Sequence, residues 1–266
     1  MLRRSLEPRI RGKRIETVRV WSSALREPVN GRILRRRLMG RRVLVADRRA
    51  KYLLLHVEGG STLVVHLGMS GQLTLVGKAE PRQVHEHVGF FLTSGERLRF
   101  RDPRRFGLVL ALPTARLQTD RHFRHLGVEP LGPSFSGQLL AERAKGRRAP
   151  VKNYLMDARV AVGVGNIYAS EALFDAGIHP RRSVGRISAA SWQRLAESVR
   201  HTLGQAIEQG GTTLNDFTDG SGNEGYFQVS LEVYGRSGED CARCGAVIRQ
   251  IVQAGRSTYY CPRCQR

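Results

Sequence analysis

Two Cys-x-x-Cys pairs close the chain, and they restrict its fold more than any other feature. Cys241-Ala-Arg-Cys244 and Cys261-Pro-Arg-Cys264 are separated by 16 residues and account for all four cysteines. This spacing reads as a four-thiolate zinc site. The segment between is long enough for a two-stranded hairpin, with Val247, Ile248, Ile251 and Val252 suited to the first strand and Thr258, Tyr259 and Tyr260 to the second. Gln253-Ala254-Gly255-Arg256 falls at the turn, which predicts Arg256 at the tip. So small a unit has too little apolar core to fold without a staple. Two disulfides are the alternative, but no secretory apolar region opens the sequence, which points to metal. Four thiolates leave no position for water, so the single Zn2+ expected here is structural and the chemistry lies elsewhere.

Charge names the partner class. Lys and Arg number 44 against 23 Asp and Glu, a net charge of +21. Solubility does not need that excess, and nucleic acid is the commonest polyanion to balance it. The arginines are spread along the chain, which implies a folded basic surface over a charged tail. No apolar run approaches the ~18 residues of a membrane span. The sequence reads as that of a cytoplasmic, monomeric protein with no membrane role.

The pattern of apolar residues divides the chain in three. Residues 2–14 look like the back half of a helix stopping near Pro8 and Gly12. Short strands succeed it up to about Leu112: Ile15–Val20, Arg41–Ala46, Tyr52–Val57, Thr62–Leu67, His87–Leu92, Arg97–Arg101 and Arg105–Leu112, with Ser94-Gly95 as a hairpin turn. Strands of this number and length predict a β-sandwich or flattened barrel. The Pro/Gly-rich stretch 126–133 reads as a linker. Beyond it the period is helical, over Gly137–Ala144, Val151–Met156, Asn166–Ala176 and Ser188–Gln209, with Gly210-Gly211 as the stop. Residues 212–226 are polar and glycine-rich and read as a loop long enough to be functional. The expected organisation is α+β and multi-domain: a β-sandwich over 1–125, a helical domain over 126–232, and a zinc β-hairpin over 233–266.

Four stretches carry potential chemistry. Lys51, in Arg48-Arg-Ala-Lys51-Tyr52, stands among arginines, which disfavour its ammonium form and suit it to act as a base or nucleophile; a solvated charge run is the plainer alternative. His66-Leu-Gly-Met69-Ser-Gly71 makes a tight turn with an apolar tip that could wedge between bases, although Met more often fills a core. Arg101-Asp-Pro-Arg104-Arg-Phe106-Gly107 offers arginines and an aromatic on a rigid turn, and His85 and His87 are expected on one side of a strand, where they could bind phosphate or metal. Gly163-Val-Gly165-Asn166 enters a helix whose free N–H groups make an anion site. A dinucleotide-binding reading is disfavoured, because the third glycine and the alternating strand–helix array are missing.

Together these stretches, with Leu155-Met-Asp, Gly210-Gly-Thr-Thr-Leu and the zinc hairpin, resemble the bacterial formamidopyrimidine-DNA glycosylase family over nearly the whole chain. The endonuclease VIII branch is less similar. The resemblance implies a β-sandwich, a helix-two-turn-helix domain and a zinc hairpin binding damaged double-stranded DNA in the interdomain cleft. It implies excision of 8-oxoguanine and ring-opened purines, succeeded by β,δ-elimination at the abasic site. Met69, Arg104 and Phe106 would fill the gap left by the extruded nucleotide. Lys51, His85, Arg104, Arg147, Asn166 and Arg256 would grip phosphates. Lys51 would also donate a proton in β-elimination, Arg256 would assist δ-elimination, and the 212–226 loop would close over the flipped base.

The sequence departs from the family at one place. The family begins Pro-Glu-Leu-Pro-Glu-Val-Glu, with the proline amine as nucleophile and the next Glu as acid/base, whereas Met1-Leu2-Arg3-Arg4-Ser5 aligns with the family's residues just beyond that heptapeptide. The expectation is a misassigned start, with a catalytically impaired lesion binder as the alternative. A zinc-ribbon nucleic-acid-binding module fits the charge and the cysteines, but it does not account for Lys51, Met69, Arg104, Phe106 and Asn166 together.

Overall fold

The structure, a computed structural model, describes residues 2–208 and 231–266. These fall into two units, residues 2–124 and residues 125–208 with 231–266.

In the first unit, eight strands form two four-stranded antiparallel sheets. One sheet holds β1 (Ile15–Val20), β6 (Glu86–Leu92), β7 (Glu96–Arg101) and β5 (Gln72–Gly77), in that spatial order. The other holds β2 (Val43–Arg49), β3 (Tyr52–Val57), β4 (Ser61–His66) and β8 (Leu108–Pro113). Side chains at alternate positions point inward from both sheets. Leu73, Leu75, Val88, Phe90, Leu98 and Phe100 meet Leu53, Leu55, Leu63, Val65 and Val109 in one core. Each such side chain contributes about 1.5–3 kcal/mol by leaving water. The chain crosses from one sheet to the other at residues 67–71, between β4 and β5, and back at 102–107, between β7 and β8.

Helices α1 (Leu2–Ile10) and α2 (Gly31–Leu38) bury Leu6, Ile10, Leu34 and Leu38 in the same core. The apolar pattern does not mark α2, because Arg32, Arg35, Arg36 and Arg37 interrupt its apolar residues. Its start is nevertheless encoded by Asn30, whose Oδ1 accepts from Ile33 N at 3.0 Å. Strand β5 is equally unmarked; only Leu73 and Leu75 carry its alternation.

The second unit is built on α3 (Gly137–Ala144), α4 (Val151–Leu155), α5 (Asn166–Asp175) and α6 (Ala189–Glu208). Ser136 and Ser188 cap α3 and α6, accepting from Leu139 N at 3.1 Å and Ser191 N at 3.2 Å. Leu195 and Val199 of α6 pack with Trp192, Leu140, Leu155 and Leu173. The α3–α6 crossing is close: a Cβ on Gly137 would lie 2.5 Å from the Gln193 backbone, so only glycine fits.

The C-terminal hairpin pairs β9 (Arg249–Gln253) with β10 (Arg256–Tyr260). The tip is Ala254-Gly255, with φ of 47° and 71°. Arg256 is therefore not at the tip as expected; it opens β10, paired with Gln253. The turn nevertheless spans Gln253–Arg256 as expected, with the two left-handed residues at its centre and Arg256 closing it. A small core of Phe174, Val233, Cys241, Ile248 and Cys261 lies beneath the hairpin. Phe174 belongs to α5, and His179 N donates to Arg266 O at 3.1 Å while Gln265 Nε2 donates to Ile178 O at 3.0 Å, so hairpin and helices share one unit. The expected Gly210-Gly211 helix stop and the 212–226 loop lie outside the described residues. No helix among the described residues is long and apolar enough to cross a membrane.

Candidate nucleic-acid interface

Strand register brings three turns to one end of the first unit. Tyr52 pairs with His66, and His66 with Leu108. The turn carrying Lys51, the turn carrying Met69 and the loop carrying Arg104 and Phe106 therefore leave the same end of one sheet. In the other sheet Gln72 and Glu86 both pair with Arg101, which sets His85 and Asp102 beside them. Lys51 is exposed and directly succeeds Ala50, held at φ 55°. Met69 and Phe106 are 54% and 48% exposed in a protein whose other large apolar side chains are mostly buried. Val84 and Val252 are more exposed still, at 74% and 65%, so it is the shared sheet end together with the exposure that marks Met69 and Phe106. The Arg104 guanidinium lies 5.2 Å from the centre of the Phe106 ring.

Buried hydrogen bonds hold these turns in place. Asp102 is fully buried. Its Oδ1 accepts from Ser70 Oγ at 2.7 Å and its Oδ2 from Gly107 N at 2.7 Å. Ser70 Oγ in turn accepts from Arg104 N at 3.1 Å. Gly68 has φ 68°, and a Cβ there would come within 2.6 Å of the Phe106 carbonyl carbon. Gly68 N donates to His66 Nδ1 at 2.9 Å. Burial, then the charges of Arg26 and Lys51, hold the His66 pKa down at about 4, so the ring stays neutral and can accept that bond. Sequence reasoning assigns no role to Asp102, Ser70 or His66; their parts emerge only from these contacts.

The two histidines do not share a face as predicted. His87 is buried, and its Nε2 donates to Asp102 O at 2.9 Å. His85 lies before the strand at φ 65° and is exposed. The register shift between Glu86 and Val88 breaks the two-residue alternation on which the expectation rests. Asp102 N donates to His85 O at 3.0 Å. Arg97 and Arg99 hold the approach to His85, donating to Glu80 O and Pro81 O at 3.2 and 2.9 Å while ion-paired with buried Glu86.

In the second unit Asn166 opens α5, but its side chain is committed within the protein. Its Nδ2 donates to Ser257 O at 2.9 Å and Tyr234 Oη at 3.4 Å. Its Oδ1 accepts from Lys152 Nζ at 2.5 Å. Lys152, only 1% exposed, also donates to Thr258 Oγ1 at 2.6 Å and Ser257 O at 3.3 Å. Burial, then the neighbouring Arg256, lowers the Lys152 pKa to about 8. The site thus joins α4, α5 and β10, with Arg256 next to Ser257. Lys152 escapes a reading of the sequence, although a lysine inside the apolar run Val151-Lys-Asn-Tyr-Leu is its signal. Arg147 stands apart, exposed on the turn after α3 with its guanidinium 5.7 Å from the Tyr154 ring centre. A cavity of about 270 Å³ between α5 and α6, lined in part by Glu171, His201 and Glu232, contains none of the expected residues.

The four cysteines form the structural zinc site. Their Sγ atoms all lie within 4.8 Å of one another, with Cys241–Cys264 at 3.9 Å and Cys244–Cys261 at 3.5 Å. Disulfides need about 2.05 Å, whereas four thiolates ~2.3 Å from a central ion stand roughly this far apart. Burial, then hydrogen bonds to the other three thiols, pushes the Cys264 thiol up to about 12. Thiolates coexist there only around a cation.

Three family models match consecutive parts of the chain: the formamidopyrimidine-DNA glycosylase N-terminal domain over residues 1–109, its H2TH domain over 126–218, and the zinc finger found in FPG and IleRS over 238–266. The chain belongs to the formamidopyrimidine-DNA glycosylase family. It is 50% identical to the formamidopyrimidine-DNA glycosylase of Acidithiobacillus ferrooxidans, covering 99% of this chain and 96% of the relative. The Pseudomonas aeruginosa glycosylase is 52% identical with the same coverage. Among solved structures, Lactococcus lactis Fpg in complex with abasic-site DNA superposes with a TM-score of 0.91 at 32% identity, covering 100% of this chain and 97% of that one. Its complex with Fapy-dG DNA gives 0.90 at 32% identity, with the same coverage.

Proposed function

We propose that this chain is a base-excision repair glycosylase and abasic-site lyase that extrudes oxidised purines from double-stranded DNA, excises them, and nicks the abasic site by β,δ-elimination. The observation that carries this reading is the gathering of Lys51, Met69, His85, Arg104 and Phe106 at one end of the sandwich, with the two apolar side chains exposed. Extrusion costs a few kcal/mol of stacking and pairing. Met69 and Phe106 offset that cost by filling the space left behind, and Arg104 holds the strand through its guanidinium. Lys51, His85, Arg104, Arg147, Asn166 and Arg256 grip phosphates. Lys51 supplies the proton in β-elimination and Arg256 assists δ-elimination. Asn166 serves through its N-terminal helix position and its hold on the Arg256 strand, since its side chain is occupied. Residues 1–125 act as the sandwich domain, 126–232 as the helical DNA-binding domain and 233–266 as the zinc hairpin. The protein works as a cytoplasmic monomer, on the nucleoid when bound.

The test is affinity, which does not call on the Pro-Glu pair with which the family's sequences begin. Duplexes with and without an abasic-site analogue are titrated at one salt concentration. At least a tenfold preference for the abasic duplex is expected, because the wedges there meet an empty position. Equal binding to both would replace this reading with that of a general nucleic-acid-binding module. Borohydride trapping then separates an active lyase, which gives a covalent adduct, from a lesion binder, which gives none.

A further inference from the structure

Two turns carry the exposed apolar side chains, and they belong to different crossovers of the sandwich. Met69 lies in the passage from β4 to β5, and Phe106 in the passage from β7 to β8. Nothing in the connectivity ties one passage to the other. The tie is made by side chains. Ser70, next to Met69, donates to Asp102 Oδ1 at 2.7 Å and accepts from Arg104 N at 3.1 Å. Asp102 Oδ2 accepts from Gly107 N, next to Phe106, at 2.7 Å. The Asp102 main chain is held from a third side, by His87 Nε2 at 2.9 Å and by its own N–H to His85 O at 3.0 Å. Backbone contact closes the joint, since Gly68 leaves no room even for a Cβ against Phe106.

We propose that Asp102, acting through Ser70, is a positioning residue that makes the Met69 turn and the Arg104–Phe106 loop one rigid body, so that the two wedges enter DNA together. The proposal rests on the wedge reading above. A buried carboxylate suits the task because it accepts on both oxygens and donates on neither, matching a hydroxyl on one side and a backbone N–H on the other. An amide in its place sets a donor against one of those donors. Two wedges on separate mobile turns would add independently. On one body, blunting either disturbs the seating of the other, and their effects depart from additivity.

The experiment is a mutant cycle read twice. Preference for abasic-analogue duplex over intact duplex is measured for Met69→Ala, Phe106→Ala and the double variant, first with Ser70 present and then in a Ser70→Ala background. Ser70→Ala is chosen over Asp102→Asn because it opens the bridge to Arg104 while sparing the bond to Gly107. With Ser70 present, the loss in the double variant should depart from the product of the single losses by about threefold or more. With Ser70→Ala, the product should hold within about twofold. Ser70→Cys, which keeps a weaker donor and acceptor, should fall between the two and serves if Ser70→Ala proves unstable. Independent losses with Ser70 present, or an equal departure after its removal, would overturn the proposal. A parent protein with no preference for abasic DNA would instead overturn the functional reading.

Discussion

Lys152 is a cation that none of its hydrogen-bond partners neutralises. All three of its protons are used, on Asn166 Oδ1, Thr258 Oγ1 and Ser257 O, and none of these is a carboxylate. Its pKa falls from 10.5 to about 8 through burial first and the Arg256 charge second. Between those two values the folded protein has released a proton that the unfolded chain still holds. Stability contributed by this group therefore rises with pH across that window, and the cost of the buried charge is fully present below it. A bound phosphate reverses the preference, since it favours the ammonium form. DNA binding above pH 8 should thus take up a proton at Lys152. The affinity should fall by up to about tenfold between pH 8 and 9 at fixed salt, and Lys152→Gln should flatten that slope. Equal pH slopes in the two proteins would show that the buried Lys152 does not sense a bound phosphate.

At the scale of elements, the zinc hairpin depends on its metal more than the helices do. Its own core is five buried residues, two of them cysteines, whereas the helices pack around Trp192, Leu195 and Leu173. Cys261→Ser should abolish zinc binding, measured by metal analysis, and weaken DNA binding at least tenfold by freeing Arg256, Ser257 and Thr258. Helical circular dichroism should be largely kept, and its collapse would show that hairpin and helices fold only as one. The hairpin, the sandwich strands other than β5 and the helices α3 to α6 are legible in the sequence through local signals: cysteine spacing, alternation or β-branched apolar runs, and apolar residues at helical spacing. Helix α2 is hidden because it is short and four arginines leave only Ile33, Leu34 and Leu38 to carry its apolar period, although Asn30 marks its start. The expected placing of His87 fails because a bulge leaves no mark in composition. Lys51, Met69, Arg104, Phe106 and Asn166 stand out as candidates by the unusual chemistry of their turns. Asp102, Ser70 and Lys152 do not, since their importance lies in partners 32, 34 and 106 residues away.

Across the whole molecule, the net charge of +21 sets how binding responds to salt. Lys51, Arg104, Arg147 and Arg256 are four of the cations proposed to meet phosphates. If they displace one counterion each, the logarithm of affinity should fall against the logarithm of salt with a slope of about −3.6. Arg147→Ala should bring the slope to about −2.7 on abasic and intact duplexes alike. It should leave the preference between them unchanged, because Arg147 lies on the turn after α3 and belongs to neither of the turns proposed to read the lesion. A change in preference would assign Arg147 to lesion recognition.

The two turns proposed as wedges are both places where the chain passes from one sheet to the other, and the Phe100 ring of the inner core abuts Gly107, where a Cβ would approach its Cζ within 2.6 Å. The spacing of the sheets is thereby transmitted to the surface. A smaller side chain in place of Phe100 would remove that contact and loosen the seat of the loop that carries Arg104 and Phe106. Fidelity in choosing a damaged nucleotide is then partly an interior property. Variants that never touch DNA, and that still fold, can blunt the molecule's discernment as surely as removing a wedge.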